Sequence, residues 1–466
     1  MKPRRKSLAL IAACGAAILV SGCGGTTQQT QTVAGPTSTT PRVVHKAAAV
    51  RAARPSAAEL ALRRNVGSLA RALGPHAGIL VRDVSSGRDL YSLNPNFARP
   101  PASVEKLYTS AAMLATVGPN AVIHTQVLGS GHLGPHGVWY GNLYLRGNGD
   151  PTFGDPGFQR IYEEGQGSSI ASLIAQLHRS GIRRVSGYLY PDASIFDSRV
   201  GGPHTKFGPD PGDYGGQMSA LVYDHGLSLA KMGPALTAAH VFAQTAERSG
   251  VMMRSRALRG RAPHGLRLLA SVSSPPMATM LRQMDVPSDD LFADLFAKQL
   301  GHRYTGWGTL SAGAAVIART IDGRYRLHAV IHDGSGLDKT DASTPRQIVS
   351  LLTQLTPTAA GRIIRGALPV LGVSGTTKGM GLKTPAVGRC QAKTGSLDSV
   401  TNLAGWCQAL NGHTLAFAIF DDGPPNWQAD VNFGKIAGAI AAYGASPARP
   451  SARSGSGPSR RSPRRP

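Results

Sequence analysis

Three short clusters place together residue types that can perform acyl transfer. In Ser103-Val-Glu-Lys106 a hydroxyl and an amine stand three positions apart, and at the start of a helix that spacing puts both on one side, one turn apart. An amine takes the proton of a serine only in its neutral form, which desolvation or a neighbouring cation favours, and the serine then becomes a nucleophile. Ser288-Asp289-Asp290 precedes a run with Leu291, Phe292, Leu295 and Phe296 apolar at helical spacing. By itself this reads as an N-cap serine with acids in the first turn. Lys393-Thr394-Gly395-Ser396 ends a strand that begins near Arg389 and returns as Val400 to Cys407, so the lysine faces an edge where a peptide carboxylate can lie. Each cluster alone is common in proteins. All three in this order coincide far less often by chance.

Other chemistry finds less support. Ser335 with His332 and Asp333 suggests a triad, but neighbours on one strand and loop cannot stack as nucleophile, base and orienter, so the segment reads as a turn. The fourteen His include no H-E-x-x-H and no Cys/His set at zinc spacing, so no metal or other cofactor is expected. Cys14 and Cys23 lie near the N-terminus; Cys390 and Cys407 flank Lys393 on two strands whose turn centres near Leu397 to Asp398. A Cys390–Cys407 disulfide would pin that hairpin, the alternative being two unpaired buried thiols.

The elements that must position these clusters are mixed α and β. Glu59 to Leu73 carries Leu62, Val66, Leu69 and Leu73 at helical spacing, and Gly78 to Val84 with Leu90 to Leu93 reads as a hairpin. Residues 127–273 differ, with short alternating runs, many Gly and Pro, and one clear helix from Ser168 to Leu177. They read as a β-rich accessory insertion. Beyond it, helices at Met277 to Met284, Leu291 to Leu300 and Gln347 to Leu355 alternate with strands at Leu327 to His332, Arg389 to Lys393, Val400 to Cys407 and Leu415 to Phe420. Val431 to Tyr443 closes as a helix.

Charge places the chain. Fifty Lys and Arg against twenty-six Asp and Glu give +24, but residues 1–57 hold eight bases and no acid, and 445–466 hold six Arg and no acid. The body between them is only modestly basic, which does not call for nucleic acid. Lys2, Arg4, Arg5 and Lys6 precede an apolar run from Leu8 to Val20, shorter than the roughly 20 residues of a spanning helix, so it reads as an export signal. Val20-Ser21-Gly22-Cys23 resembles the lipobox of bacterial lipoproteins, which implies cleavage before Cys23, its diacylation, and membrane anchoring facing the cell wall; plain secretion is the alternative. The expected organisation is therefore a signal peptide (1–22), a flexible tether (23–57), a first catalytic part (58–126), the accessory insertion (127–273), a second catalytic part (274–444) and a basic tail (445–466).

Taken together, the clusters resemble the S-x-x-K, S-x-N and K-T-G motifs of penicillin-binding serine D-alanyl-D-alanine carboxypeptidases. The long interval before the second motif is similar to the low-molecular-mass class C subgroup. Gly147-Asn-Gly-Asp-Pro-Thr152, Pro287-Ser-Asp, Asp333-Gly-Ser-Gly-Leu337 and Leu368-Pro-Val-Leu-Gly-Val-Ser-Gly375 resemble further segments of that subgroup. The resemblance implies an α+β transpeptidase-like domain, with an antiparallel sheet flanked by helices and an all-helical subdomain, interrupted by the insertion. It also implies carboxypeptidase action on peptidoglycan stem peptides, covalent inhibition by β-lactams, and D,D-endopeptidase activity as an additional outcome.

By the same resemblance Ser103 is the nucleophile, Lys106 the general base, and Ser288 part of the proton path to the leaving D-alanine. Lys393, Thr394, Gly395 and Ser396 form the carboxylate receptor, and the N–H groups of Ser103 and Ser396 form the oxyanion hole. One residue departs from the pattern: Asp290 stands where the family has Asn. Ionised, it only accepts hydrogen bonds and favours the charged forms of Lys106 and Lys393; protonated, it would donate after all. Slower acylation is the expectation, and a peptidoglycan-binding pseudoenzyme is the alternative. A β-lactamase or esterase on the same scaffold lacks a counterpart of the class A deacylating segment.

Overall fold

The computed structural model describes residues 54–210, 215–227, 232–254, 257–423 and 426–445. The export signal, Cys23, the tether up to residue 53 and the basic tail beyond Ala445 lie outside the described residues. Ser56 opens helix α1 (Ala57–Ala70), its side chain accepting from the Glu59 N–H at 3.1 Å. Strands β1 (Gly78–Asp83) and β2 (Asp89–Leu93) form the expected hairpin, and α2 (Lys106–Thr116) follows a 3-10 turn at Ala102–Glu105.

The chain then builds β3 (His124–Leu133), β4 (Val138–Arg146), α3 (Pro156–Tyr162), α4 (Ile170–Arg179), β5 (Arg184–Val185), β6 (Leu189–Asp192), α5 (Pro234–Arg248) and β7 (Arg267–Ser273). Five helices come next: α6 (Met277–Asp285), α7 (Asp290–Thr305), α8 (Leu310–Tyr325), α9 (Pro345–Leu355) and α10 (Ala359–Ala367). Strands β8 (Cys390–Leu397), β9 (Val400–Gln408) and β10 (Thr414–Asp421) lead to the closing helix α11 (Asn426–Ala441).

One sheet runs β2-β1-β10-β9-β8, every neighbouring pair antiparallel. Its central strands are apolar on both faces because both are covered. Ile79, Val81, Leu415, Phe417 and Ile419 pack with α1 and α11, whereas Leu80, Ala416, Ala418 and Phe420 point the other way, into a core shared with α2 and α6 to α10. A strict two-residue alternation thus feeds two separate cores. The second sheet runs β5-β4-β3-β7 with β6 also on β4, and its own core is filled by Leu173, Ile174 and Leu177 of α4 and Phe242 of α5.

The structure departs from the sequence expectations in several places. Within 127–273 there are three helices rather than one; the buried face of α5 is mostly Ala, whose small side chains give a weak apolar stripe. Phe196, Met218, Ala220 and Val222 from that stretch join the core of α2, α6 and α7. Leu327 to His332 is not a strand. It makes only an isolated bridge, Val330 to Ala342, because carboxylates take its neighbours' N–H groups: His332 N donates to Asp341 at 2.7 Å, and Ser335 and Gly336 N donate to Asp333 at 2.9 and 2.6 Å.

Cys390 and Cys407 stand directly opposite on β8 and β9, with Cα atoms 4.0 Å apart, and are joined by a disulfide. A loop of this length closed in the unfolded chain contributes about 3 kcal/mol in the chain-entropy picture. The Cys390→Ser/Cys407→Ser double variant should lose about 2–4 kcal/mol of unfolding free energy, read by urea denaturation without reductant.

Candidate active site

Ser103 sits in the 3-10 turn and Lys106 at the first position of α2, so turn and helix share one axis change and bring the two side chains together: Lys106 Nζ lies 2.9 Å from Ser103 Oγ. Ala102, immediately before the serine, has φ of 47°, a left-handed conformation that costs free energy in a non-glycine residue and is retained where the surroundings impose it. Two contacts hold the turn. Asn402 of β9 donates to the carbonyls of Pro100 and Pro101 at 3.0 and 2.8 Å. Gly395 of β8 lies so close that a Cβ there would come within 2.6 Å of Pro101 O, which is why no larger residue fits at that point of the strand.

Lys106 is wholly buried, and its ammonium protons have three acceptors: Ser103 Oγ, Asp290 Oδ1 at 2.5 Å and the Ser335 carbonyl at 3.0 Å. The Ser335 carbonyl is available because the 333–337 loop is threaded between the serine turn and α7. Gly336 has φ of 83°, and a Cβ on it would meet Ala102 O at 2.1 Å. Ser335 Oγ itself has no hydrogen-bond partner among the described residues, and His332 pairs with Asp341 at 3.0 Å, so these three do not form a triad.

The second cluster departs from the N-cap reading. Asp289, not Ser288, caps α7, accepting from Phe292 N at 2.9 Å, while Ser288 takes φ of 71°. That left-handed turn places Ser288 Oγ 2.6 Å from Lys393 Nζ. Lys393 is fully buried on β8; burial first, then the charge of Lys106, pulls it down to about 7, with Asp285 and Asp290 opposing. Asp285, which accepts from Ser110 at 2.8 Å, is pushed up to about 7 by burial despite the nearby cations Lys393 and Lys106. Thr394 Oγ1 donates to Thr376 Oγ1 at 2.7 Å, and Ser396 is exposed.

Strand β8 is the edge of its sheet. Among the described residues, backbone hydrogen bonds reach its outer side at its start, where Leu371 N donates to Cys390 O and Ala392 N donates to Pro369 O. N–H groups alternate along a strand, so those of residues 394 and 396 face the same side as that of Ala392, beyond the occupied stretch. An open edge beside Ser103 can take an extended peptide as an added strand.

The structure thus brings Ser103, Lys106 and Asp290 into one hydrogen-bonded group and Ser288, Lys393 and Thr394 into an adjoining one. Asn402, Asp285, Thr376 and the Ser335 carbonyl were not among the sequence candidates. Asn402 alone carried a signal there, as an amide directly before the apolar run Leu403 to Cys407 of its strand. Behind the site, Glu105, Asp333 and Asp341 offer buried carboxyl oxygens within 4.8 Å of one another. Burial, then the charges of Asp341 and Asp333, holds Glu105 well above the usual carboxylate range, so the cluster shares protons.

The family profile described as D-Ala-D-Ala carboxypeptidase 3 (S13) matches residues 65–231 and 214–441. The chain belongs to the D-Ala-D-Ala carboxypeptidase 3 (S13) family. This S13 protein is 26% identical over 434 residues to the D-alanyl-D-alanine carboxypeptidase of Actinomadura sp. (strain R39), covering 75% of this chain and 78% of that one. It is 29% identical over 403 residues to a carboxypeptidase of Mycobacterium tuberculosis, covering 80% and 82%. The crystal structure of penicillin binding protein 4 from Haemophilus influenzae superposes with a TM-score of 0.66 at 20% identity, covering 81% of this chain and 98% of that one, which shows a common α+β fold.

Proposed function

We propose that this S13 protein is a serine D-Ala-D-Ala carboxypeptidase that trims peptidoglycan stem peptides through an acyl-enzyme on Ser103. The observation that carries it is the pairing of Ser103 Oγ with the buried amine of Lys106 beside an open strand edge bearing Lys393. The peptide lies along β8 with its terminal carboxylate at Lys393 and the hydroxyls of Thr394 and Ser396. Ser103 Oγ attacks the penultimate D-alanyl carbonyl as its proton passes to neutral Lys106, and the oxyanion is met by the N–H groups of Ser103 and Ser396. The proton then reaches the departing D-alanine nitrogen with Ser288 in the path, and water hydrolyses the ester. β-Lactams acylate the same hydroxyl. Incubation with benzylpenicillin followed by peptide mapping tests this: one adduct on the Ser103 peptide is expected, and no adduct would remove the proposal.

Capture of a carboxylate needs Lys393 as a cation, and that group titrates near 7. The Michaelis constant for a carboxylate-ended D-Ala-D-Ala peptide should therefore rise as pH increases through about 7, whereas that of its amide-ended analogue should lack this limb.

The region 127–273 is proposed as an accessory insertion bearing on the wall substrate, and Cys23 as a lipid anchor holding the enzyme at the membrane. The basic n-region and the lipobox-like Val20-Ser21-Gly22-Cys23 support the anchor. No helix among the described residues is long and apolar enough to cross a membrane. A second function, a peptidoglycan-binding chain with little turnover, is favoured by the Lys106–Asp290 pair.

A further inference from the structure

One buried titratable assembly touches the second cluster from outside the catalytic group. His225 is fully buried where the 215–227 segment meets the start of α7. Its Nε2 lies 2.9 Å from Glu163 Oε1, just past the end of α3, and its buried Nδ1, which has no hydrogen-bond partner among the described residues, lies 3.7 Å from Asp289 Oδ2, a polar contact beyond hydrogen-bond distance. The ring stands edge-on to Phe158 and Phe292, with centroids 4.9 and 5.8 Å away. Left-handed φ values of 48° at Asp224 and 54° at His225 mark a strained backbone held by its surroundings. The anchors on either side are independent: Gln283 of α6 donates to the Glu163 carbonyl at 2.8 Å, and Gln217 N donates to the His225 carbonyl at 2.9 Å.

We propose that His225, held by Glu163, is a positioning residue for acylation: packed beside the Asp289 carboxylate with its Nδ1 turned towards it, it supports the cap of α7 and through it the left-handed turn that aims Ser288 at Lys393 and Asp290 at Lys106. This rests on the carboxypeptidase reading above. Asp289 is the point of leverage because it caps α7 while its two sequence neighbours contact the two active-site lysines. A neutral imidazole offers one donor and one acceptor, and the partner of one nitrogen decides which nitrogen carries the proton.

Burial holds His225 below its ordinary value and pushes Glu163 up to about 9 and Asp289 up to about 7. A neutral Glu163 donates to Nε2, which leaves Nδ1 as the protonated nitrogen, turned towards Asp289. The other charged groups around the ring are Asp224, raised by burial to about 6, Asp155 at the cap of α3, buried Asp150, Asp290, and the Glu164–Arg282 pair linking the end of α3 to α6. Ionisation of Glu163 would draw the ring proton to Nε2 and away from Asp289.

The test measures the second-order rate of Ser103 acylation by a fluorescent penicillin from pH 6 to 10, with thermal melts, for wild type, His225→Phe, Glu163→Leu and Glu163→Gln. His225→Phe and Glu163→Leu should each lose about ten- to a hundred-fold, the scale of a small misplacement of reacting groups. Glu163→Gln, which still donates to Nε2, should recover most of that loss at pH 7 and lack the wild-type fall near pH 9. A folded His225→Phe with wild-type rate overturns the proposal, as do Glu163→Leu and Glu163→Gln with equal rates and parallel pH profiles. If His225→Phe does not fold, the two Glu163 variants decide. Absence of labelling in wild type overturns both this inference and the carboxypeptidase reading, whereas labelling that is indifferent to these substitutions overturns this inference alone.

Discussion

In Lys106→Ala, acylation of Ser103 by benzylpenicillin should fall by about a thousand-fold, the middle of the range for loss of a general base. Among the described residues no other amine contacts Ser103 Oγ. The other partners of Lys106 are a carbonyl and Asp290, and the remaining lysine, Lys393, contacts Ser288 rather than Ser103. Ser103→Ala should leave no adduct at all. Stopped-flow labelling followed by intact-mass measurement reads both. A Lys106→Ala protein that acylates within about ten-fold of wild type would show that the proton leaves Ser103 by another route. The substitution also empties a buried site, so a melt must accompany the rate: removal of a long buried side chain costs stability as well as chemistry.

Asp290→Asn should work in the opposite direction and accelerate acylation by about ten- to a hundred-fold at pH 7, the scale on which a contacting opposite charge biases protonation. At 2.5 Å the Asp290 carboxylate pairs with the ammonium form of Lys106. In that state all three N–H bonds are committed, to Ser103, Asp290 and Ser335, and no lone pair is available to take the serine proton. Asparagine keeps an oxygen acceptor for Lys106, removes the charge, and supplies an N–H donor for a substrate amide. The comparison also separates the two functions. Faster labelling of the variant, with measurable labelling of wild type, describes an enzyme restrained by its own carboxylate. Labelling that emerges only in the variant describes a binding chain whose nucleophile is kept idle. Equal rates would remove Asp290 from the argument altogether.

Much of the local structure was legible because the signals were local. The helical spacing of α1, the four-residue stripe of α4 and the continuous apolar runs of β1 and β10 each depend on near neighbours in sequence. The failures share one cause. Leu327 to His332 has strand composition, but Asp333 and Asp341 capture the N–H groups of that loop, and whether a carboxylate does so depends on where the loop is carried. Helix α8 was not among the sequence expectations; Gly313 and Ala314 sit among the large apolar residues of its packing face, and such small residues show their value only against the neighbouring α7. The cap at Asp289 rather than Ser288 follows from the left-handed turn at Ser288, which accompanies the contacts of Ser288 with Lys393 and of Asp289 with His225.

The amino-acid order alone determined which groups are present: a hydroxyl and an amine one helical turn apart, a serine and two acids before a helix, and a lysine on a strand paired through its own hairpin. Those relations span a few residues, and backbone geometry fixes them. Only the tertiary structure decided that Asp290 lies against Lys106 rather than in solvent, that Lys393 is buried deeply enough to titrate near 7, and that β8 keeps an open edge beside Ser103. Charge interactions and desolvation depend on separation in space and on the surrounding dielectric. The distances concerned join segments more than a hundred residues apart.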